Sequence, residues 1–350
     1  MKIAQVAGIG ERVPPKKYGG TERVVSALTE ELVRRGHEVT LFASGDSITS
    51  ARLVSVTKKP LRELSSSDMF GSEYLSILNV GLAYKMQDEF DIIHDHNVYT
   101  SLPIAMLSKT PILMTLHGAV TLENRKLLYG LNNKYNPFFV TISKAQAVPL
   151  PSINYIGNIY HGLEMTNYPI SVKGNNFLLF VGRISSEKGL HHAIEAAEYL
   201  NLPLTIAAKL DPNPVDLAYF KEKIEPHLSE TIQWIGEVDT EQRNVLMSNA
   251  IALLHPVTWR EPFGLTLIEA MACGCPIVAF NRGSIPEIVK HEKTGFIVED
   301  TVEMVEVLGR IKEIKREDCR NYVLEKFSLI KMVDAYESIY KKIISNLKKS

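Results

Sequence analysis

IALLHPVTWREPFGLTLIEAMACGCPIVAF, residues Ile251 to Phe280, decides the fold. It reads as strand, loop, helix, strand. Ile251 to His255 is a short apolar run of the kind that forms a buried parallel strand. Pro256 to Arg260 is a loop closed by Glu261-Pro262, with proline at a favoured first helical position. Phe263 to Ala272 carries helix formers, Gly274 stands where a helix stops, and Pro276 to Phe280 is the next strand. Glu261 is thereby placed on the loop at the helix mouth, and Glu269 about two turns further on, inside the helix.

A helix N-terminus presents free N–H groups and a partial positive charge, so it favours a phosphate. Gly264 lets a ligand approach the backbone closely. A carboxylate on each side of such a mouth can accept hydrogen bonds from neutral hydroxyls. A diphosphate carried between two hydroxyl-bearing rings, as in a nucleotide sugar, fits that arrangement. By spacing alone, a solvated loop carboxylate and a helix-face charge fit equally well.

The chain has 350 residues, enough for two domains with their own cores. Its net charge is −1, so no large positive field points to nucleic acid. The three cysteines, Cys273, Cys275 and Cys319, are few and odd in number, which suits a reducing compartment. Cys273-Gly-Cys275 lacks the spacing of a redox Cys-x-x-Cys pair and reads as core packing. The first strand starts at Lys2, with no targeting segment before it, and no apolar run has the length of a membrane span. A cytoplasmic enzyme is expected.

Taken in order, Lys2 to Ala7 is a strand, Gly8 to Gly20 a glycine-rich loop, and Thr21 the expected cap of the helix that follows. Val24, Val25, Leu28, Leu32 and Val33 recur at helical spacing, Gly36 ends the helix, and His37 to Ala43 is the next strand. This is a βαβ unit with its loop at the carboxyl end of the first strand, where open α/β sheets bind ligands. The loop is not Gly-x-Gly-x-x-Gly, so a nicotinamide reading lacks its fingerprint. Ser47 to Ser67 is read as a weak strand and a variable loop, and Glu73 to Lys85 as a helix. The strands Phe90 to His94, Pro111 to Leu116 and Phe138 to Ile142 each end on polar residues: Asp95-His96-Asn97, His117-Gly118 and Ser143-Lys144. His94 and His96 share a strand side, but no third metal ligand accompanies them. Tyr168 to Asn176 is the expected linker. Beyond it Phe177 to Val181 opens a second series of strands alternating with helices, which argues for a parallel doubly wound sheet. Arg183 and Lys188, in VGRISSEKG, follow the first strand of that series.

These stretches resemble the family 4 retaining glycosyltransferases of GT-B fold. EPFGLTLIEAMACGCPIVA looks like the family's Glu-x7-Glu motif, with Glu261 and Glu269 as its two glutamates. YGGTERVV at Tyr18 to Val25 is similar to the family's Gly-Gly loop, which places Gly19 and Gly20 against the donor diphosphate and the acceptor. His117 in TLHG matches a histidine that the family sets beside the transferring sugar and phosphate, and Ser143 in TISKAQ matches its serine after the late strand. HGLE at His161 to Glu164 departs from the family's Asn-Gly-(Ile/Val)-Asp, and RGSIPE at Arg282 to Glu287 has Ser284 in place of one Gly.

The resemblance implies two Rossmann-like doubly wound domains facing a cleft. Residues 1–168 would form the acceptor domain and 169–328 the nucleotide-sugar domain, with the last helix, in 329–350, packing back on the first. Arg183, Lys188 and the backbone at Phe263, Gly264 and Leu265 would hold the diphosphate. Glu269 would accept from ribose, Glu261 from the sugar, and Val238 would lie at the nucleobase. His117, Glu261, Arg183 and Lys188 are then the candidate catalytic residues. A UDP-sugar is the favoured donor and a GDP-sugar the next. No Asp-x-Asp occurs in the chain, which agrees with cations replacing a divalent metal, and no other cofactor is expected. The acceptor is not named by the sequence. Thr121 to Pro137, with Arg125, Lys126 and Lys134, admits an anionic or weak membrane-surface acceptor as well as a soluble one. An epimerase on the same fold, a Rossmann dehydrogenase and a non-catalytic sugar-binding relic remain the alternatives.

Overall fold

The structure, a computed structural model, describes residues 1–17, 19–64, 71–121, 128, 137–171 and 175–347. The chain divides into two units, Met1–Gly162 with Leu329–Ser350, and Leu163–Ser328.

The first unit is built on a seven-stranded sheet. Its strands are β1 (Lys2–Val6), β2 (Glu38–Phe42), β3 (Arg52–Val54), β4 (Ile92–Asp95), β5 (Ile112–Leu116), β6 (Phe138–Thr141) and β7 (Tyr155–Asn158). Their order is β3-β2-β1-β4-β5-β6-β7, and every pairing is parallel. Parallel strands need helical crossovers, which cover both faces, so β4 and β5 are buried along their whole length, His94 and Asp95 of β4 included. Strand order reverses between β1 and β4. The loop before helix Gly20–Arg34 and the segment from Asp95 to Asn97 both lie at that reversal.

Thr21 does not cap that helix. The helix starts at Gly20, its cap is Gly19, and no side chain makes a cap bond. Gly19 has φ 144, and a Cβ there would lie 2.8 Å from Pro15 Cβ, so only glycine makes this turn. Of the stretch read as weak strand and loop, β3 and a 3₁₀ turn at Leu61–Glu63 form. Residues 65–67 lie outside the described residues, as do Tyr18 and most of the stretch between Thr121 and Pro137. The last helix, Leu329–Leu347, belongs to the first unit, where Arg35 bonds Asp334 at 2.7 Å and Glu337 at 2.8 Å.

The second unit has strands β8 (Leu178–Arg183), β9 (Leu204–Lys209), β10 (Ile232–Trp234), β11 (Ala252–His255), β12 (Ile277–Phe280) and β13 (Gly295–Val298). They pair in parallel in the order β10-β9-β8-β11-β12-β13. This is the Rossmann order, with its switch point between β8 and β11. The helix of the opening stretch spans Leu265–Ala272, later than expected. Pro262 is not its first residue: Gly264 caps it in the left-handed conformation, φ 82, and Glu261-Pro262-Phe263 stays a turn held by Ser284 N–H donating to Glu261 O at 2.9 Å. Gly274 follows the helix with φ 74 as its C-terminal signal requires. Cys273, Cys275 and Cys319 are free and buried. No helix among the described residues is long and apolar enough to cross a membrane.

Candidate active site

At the switch point of the second unit two loops are pinned together. Thr258 N–H donates to Glu187 O at 2.9 Å, and a Cβ on Gly189 would lie 2.0 Å from the Pro256 carbonyl oxygen. Gly189, with φ 70, is therefore required both by its conformation and by the close passage of the other loop. This approach brings Lys188, from the loop after β8, to Glu261, from the loop after β11, although 73 residues separate them.

The Lys188 ammonium donates to Glu261 Oε2 at 2.8 Å, and the Trp259 indole N–H donates to the same oxygen at 3.0 Å. Lys188 Nζ also lies 4.6 Å from the centre of the Trp259 ring, a cation–π distance. His255 Nε2 is 3.6 Å from Glu261 Oε2, too far for a hydrogen bond. Burial by itself would raise the Glu261 carboxyl, but the Lys188 charge and its hydrogen bond outweigh it and hold the group at about 2. Burial keeps His255 below its ordinary value. Arg183, at the end of β8, pairs through Nη2 with Glu187 at 2.5 Å and lies 3.9 Å from Asp211.

Glu269 is placed elsewhere. It is fully buried in the helix, 3.1 Å from Arg243 Nη2, and Arg243 is itself buried. The two glutamates thus have separate partners. The Phe263 ring packs in the core 6.1 Å from Phe327, and its carbonyl accepts from Ser284 Oγ at 3.0 Å. Gly264 and Leu265 form the helix start, where amides of the first turn lack intrahelical acceptors. Val238 lies past the end of β10, partly exposed.

In the first unit, His117 stands just past β5 and joins a cluster the strands assemble. His117 Nε2 is 2.9 Å from His96 Nδ1, and the His117 and His161 rings stack at 5.3 Å. All four ring nitrogens of His94 and His96 are hydrogen-bonded, to Tyr340, Thr115, His117 and Gln5. None offers a lone pair to a metal, and among the described residues no group of three metal-ligating side chains converges. Burial pushes His94, His96 and His161 well below the ordinary imidazole value and His117 to about 4. Asp95, bonded by Tyr84 Oη at 2.9 Å and by Asn97 N–H at 2.7 Å, is raised to about 6, also by burial. Ser143 acts as a helix cap, accepting from Gln146 N–H at 3.2 Å. Gly20 opens the first helix beside the cap Gly19.

The sequence signals for Trp259, His255 and Arg243 are weak, because each acquires its role only by meeting a glutamate. Trp259 and His255 lie within the stretch already singled out. Arg243 lies in helix Thr240–Asn249, and nothing in its local sequence marks it.

Both units, then, set polar residues at the switch point of a Rossmann-like sheet. Residues 168–325 match the family model for glycosyl transferases group 1, and residues 18–151 the model for glycosyltransferase family 4. The N-acetyl-alpha-D-glucosaminyl L-malate synthase of Bacillus anthracis is 26% identical over 365 residues, covering 92% of this chain and 93% of that protein. The sucrose-phosphate synthase of Thermosynechococcus elongatus has the same fold, with a TM-score of 0.80, 19% identity and 99% of each chain covered. The chain is a glycosyltransferase of GT-B type. A second fold neighbour of this glycosyltransferase is the Anabaena protein HepE, solved in complex with UDP and glucose. Its TM-score is 0.75 at 21% identity, over 97% of this chain and 99% of that one.

Proposed function

We propose that this glycosyltransferase retains anomeric configuration and moves a sugar from a UDP-sugar to a hydroxyl of a glycan, lipid or small metabolite in the cytoplasm, with a GDP-sugar as the second choice of donor. The Lys188–Glu261 pair at the β8/β11 switch point carries the reading, since it sets a cation and an ionised carboxylate at 2.8 Å where such sheets bind nucleotides. An ammonium has three donor hydrogens and a guanidinium five, so Lys188 and Arg183 each have donors beyond those given to Glu261 and Glu187. With the amides at Gly264 and Leu265, these donors would stabilise the charge that develops on the departing diphosphate. A divalent ion is then not needed. Glu261, ionised at neutral pH, would accept from sugar hydroxyls, Glu269 from ribose, and Val238 would border the base. His117 in the first unit would contact the transferring sugar, and the Gly19–Gly20 turn would border the diphosphate and the acceptor. The UDP found with the Anabaena neighbour supports the choice of base.

Calorimetry with UDP, GDP and ADP, each with and without EDTA, tests the donor site and identifies the base. Binding is expected to persist in EDTA and to weaken with salt, because partly exposed charges are screened over about 8–10 Å at physiological ionic strength. Binding that vanishes in EDTA and returns with magnesium contradicts the metal-free site. NMR of the glycoside formed from an α-linked donor tests retention, and a β-linked product contradicts it.

A further inference from the structure

Six side chains of the first unit form one continuous run of hydrogen bonds. His117 Nε2 lies 2.9 Å from His96 Nδ1, and His96 Nε2 lies 2.7 Å from Gln5 Oε1. Gln5 Nε2 lies 3.3 Å from Tyr340 Oη, which lies 2.7 Å from His94 Nδ1. His94 Nε2 ends the run 2.8 Å from Thr115 Oγ1. Because burial keeps the three imidazoles neutral at neutral pH, each has one N–H and one lone pair. Each ring must therefore donate through one nitrogen and accept through the other, and the run has a single direction throughout.

Gln5 sets that direction. Its Oε1 can only accept, so His96 Nε2 carries the hydrogen and His96 Nδ1 the lone pair. His117 Nε2 then donates, and His117 Nδ1 is left as a lone pair. On the far side Gln5 Nε2 donates to Tyr340, Tyr340 donates to His94, and His94 donates to Thr115, so no two hydrogens meet. His117 Nδ1 is shielded from water and has no hydrogen-bond partner among the described residues. Turning the Gln5 amide over would reverse every bond and leave a buried N–H without an acceptor there, and such orphans are rarer than unpaired acceptors.

We infer that Gln5 and His96 are positioning residues that hold His117 as its Nε2–H tautomer, so that Nδ1 meets a bound ligand as a hydrogen-bond acceptor. The chemistry it recognises is a hydroxyl group, such as one on the transferring sugar, and not an anionic phosphate, which a lone pair repels. This rests on the reading of His117 as a sugar contact and sharpens it: the histidine takes no share in neutralising the diphosphate.

Two-bond proton–nitrogen correlation spectra of the full chain, labelled with 15N-histidine, show which ring nitrogen carries the hydrogen. The free wild-type protein should show His96 and His117 both as Nε2–H. Gln5→Met, of similar length without the amide, should give mixed tautomers at both rings, whereas Gln5→Glu keeps an acceptor and should restore Nε2–H. A hydrogen on His117 Nδ1 in the wild type, or unchanged tautomers in Gln5→Met, overturns the assignment, and the wild-type spectrum decides even where Gln5→Met does not fold. UDP-glucose, GDP-mannose and ADP-glucose are then titrated, each beside its own nucleoside diphosphate. The sugar nucleotide that binds should shift His117 Nδ1, and its diphosphate should not. Binding without that shift overturns the hydroxyl contact alone; absence of binding by all three on calorimetry counts against the donor reading while the tautomers are judged separately.

Discussion

Glu261 Oε2 takes a hydrogen bond from the Lys188 ammonium and another from the Trp259 indole. Glu261→Gln keeps the shape but removes the charge opposite Lys188. A charged hydrogen bond contributes about 1.5–3 kcal/mol, so turnover should fall by roughly 10- to 150-fold while UDP affinity, measured by calorimetry, holds. Unchanged turnover would contradict the role. The acid side has a definite sign. Folding lowers the Glu261 carboxyl from 4.5 to about 2, so its stabilisation is complete above 4.5 and is lost as pH falls through that window. The gap in Tm between wild type and Glu261→Gln should close over the same range. Glu269 needs a different test, because Glu269→Ala also leaves the buried Arg243 guanidinium unpaired. Stability should drop and nucleotide binding weaken together. In Glu269→Ala with Arg243→Met, stability should recover while nucleotide affinity stays low. If affinity recovers too, Glu269 acts only through packing.

At the scale of elements, glycines hold the loops that carry these side chains. A Cβ on Gly283 would lie 2.4 Å from Glu261 O and 2.6 Å from Glu261 N, at φ 61. The turn RGSIPE is therefore the seat of Glu261, and Ser284 completes it by donating to the Phe263 carbonyl at 3.0 Å. Gly283→Ala and Gly189→Ala should each destabilise by about 1–3 kcal/mol or more and lower turnover, since neither neighbouring backbone can retreat without moving Glu261 or Lys188. Gly81→Ala is the contrast. Gly81 lies in helix Ser72–Lys85 with no atom beyond its own turn of backbone within 4 Å of its Cβ position, so alanine should stabilise by about 1 kcal/mol. Urea denaturation of the three variants checks both signs.

For the molecule as a whole, the chain passes through the second unit and returns to complete the first. Leu329, Met332, Val333, Tyr336, Tyr340 and Ile343 recur at helical spacing on the last helix, and all six are buried. Six such side chains contribute roughly 10 kcal/mol or more, comparable to the whole stability of a domain. A chain ending at Ser328 should leave the first unit open to limited proteolysis while Leu163–Ser328 resists. The buried histidines add a pH dependence. His117 moves from 6.5 unfolded to about 4 folded, and His94, His96 and His161 move in the same direction. Below about 6.5 the unfolded chain binds these protons and the folded one does not, so stability falls as pH drops from 6.5 towards 4. The Tm of the wild type should decline through this window, by about 1.4 kcal/mol of stability per histidine per pH unit. A flat profile would mean that the rings titrate freely.

The alternation of apolar runs with helical patterns, and the glycine signals between them, were legible in the sequence. Each depends on chemistry within a few residues: strand burial on both faces, and the left-handed glycine at 274 that ends a helix. So was the place of Glu261, Arg183 and Lys188, because loops after parallel strands converge at a switch point. Local signals misplaced the helix starts at Thr21 and Pro262, where a glycine at positive φ takes the cap. Tertiary structure alone decided the partners. Lys188 meets Glu261 across 73 residues, and Gln5 meets Tyr340 across 335. Trp259 turns onto Glu261, while Glu269 lies against Arg243. No periodicity encodes such meetings, because the hydrogen of an imidazole or the ionisation of a carboxylate is set by the atoms that packing brings within about 3 Å.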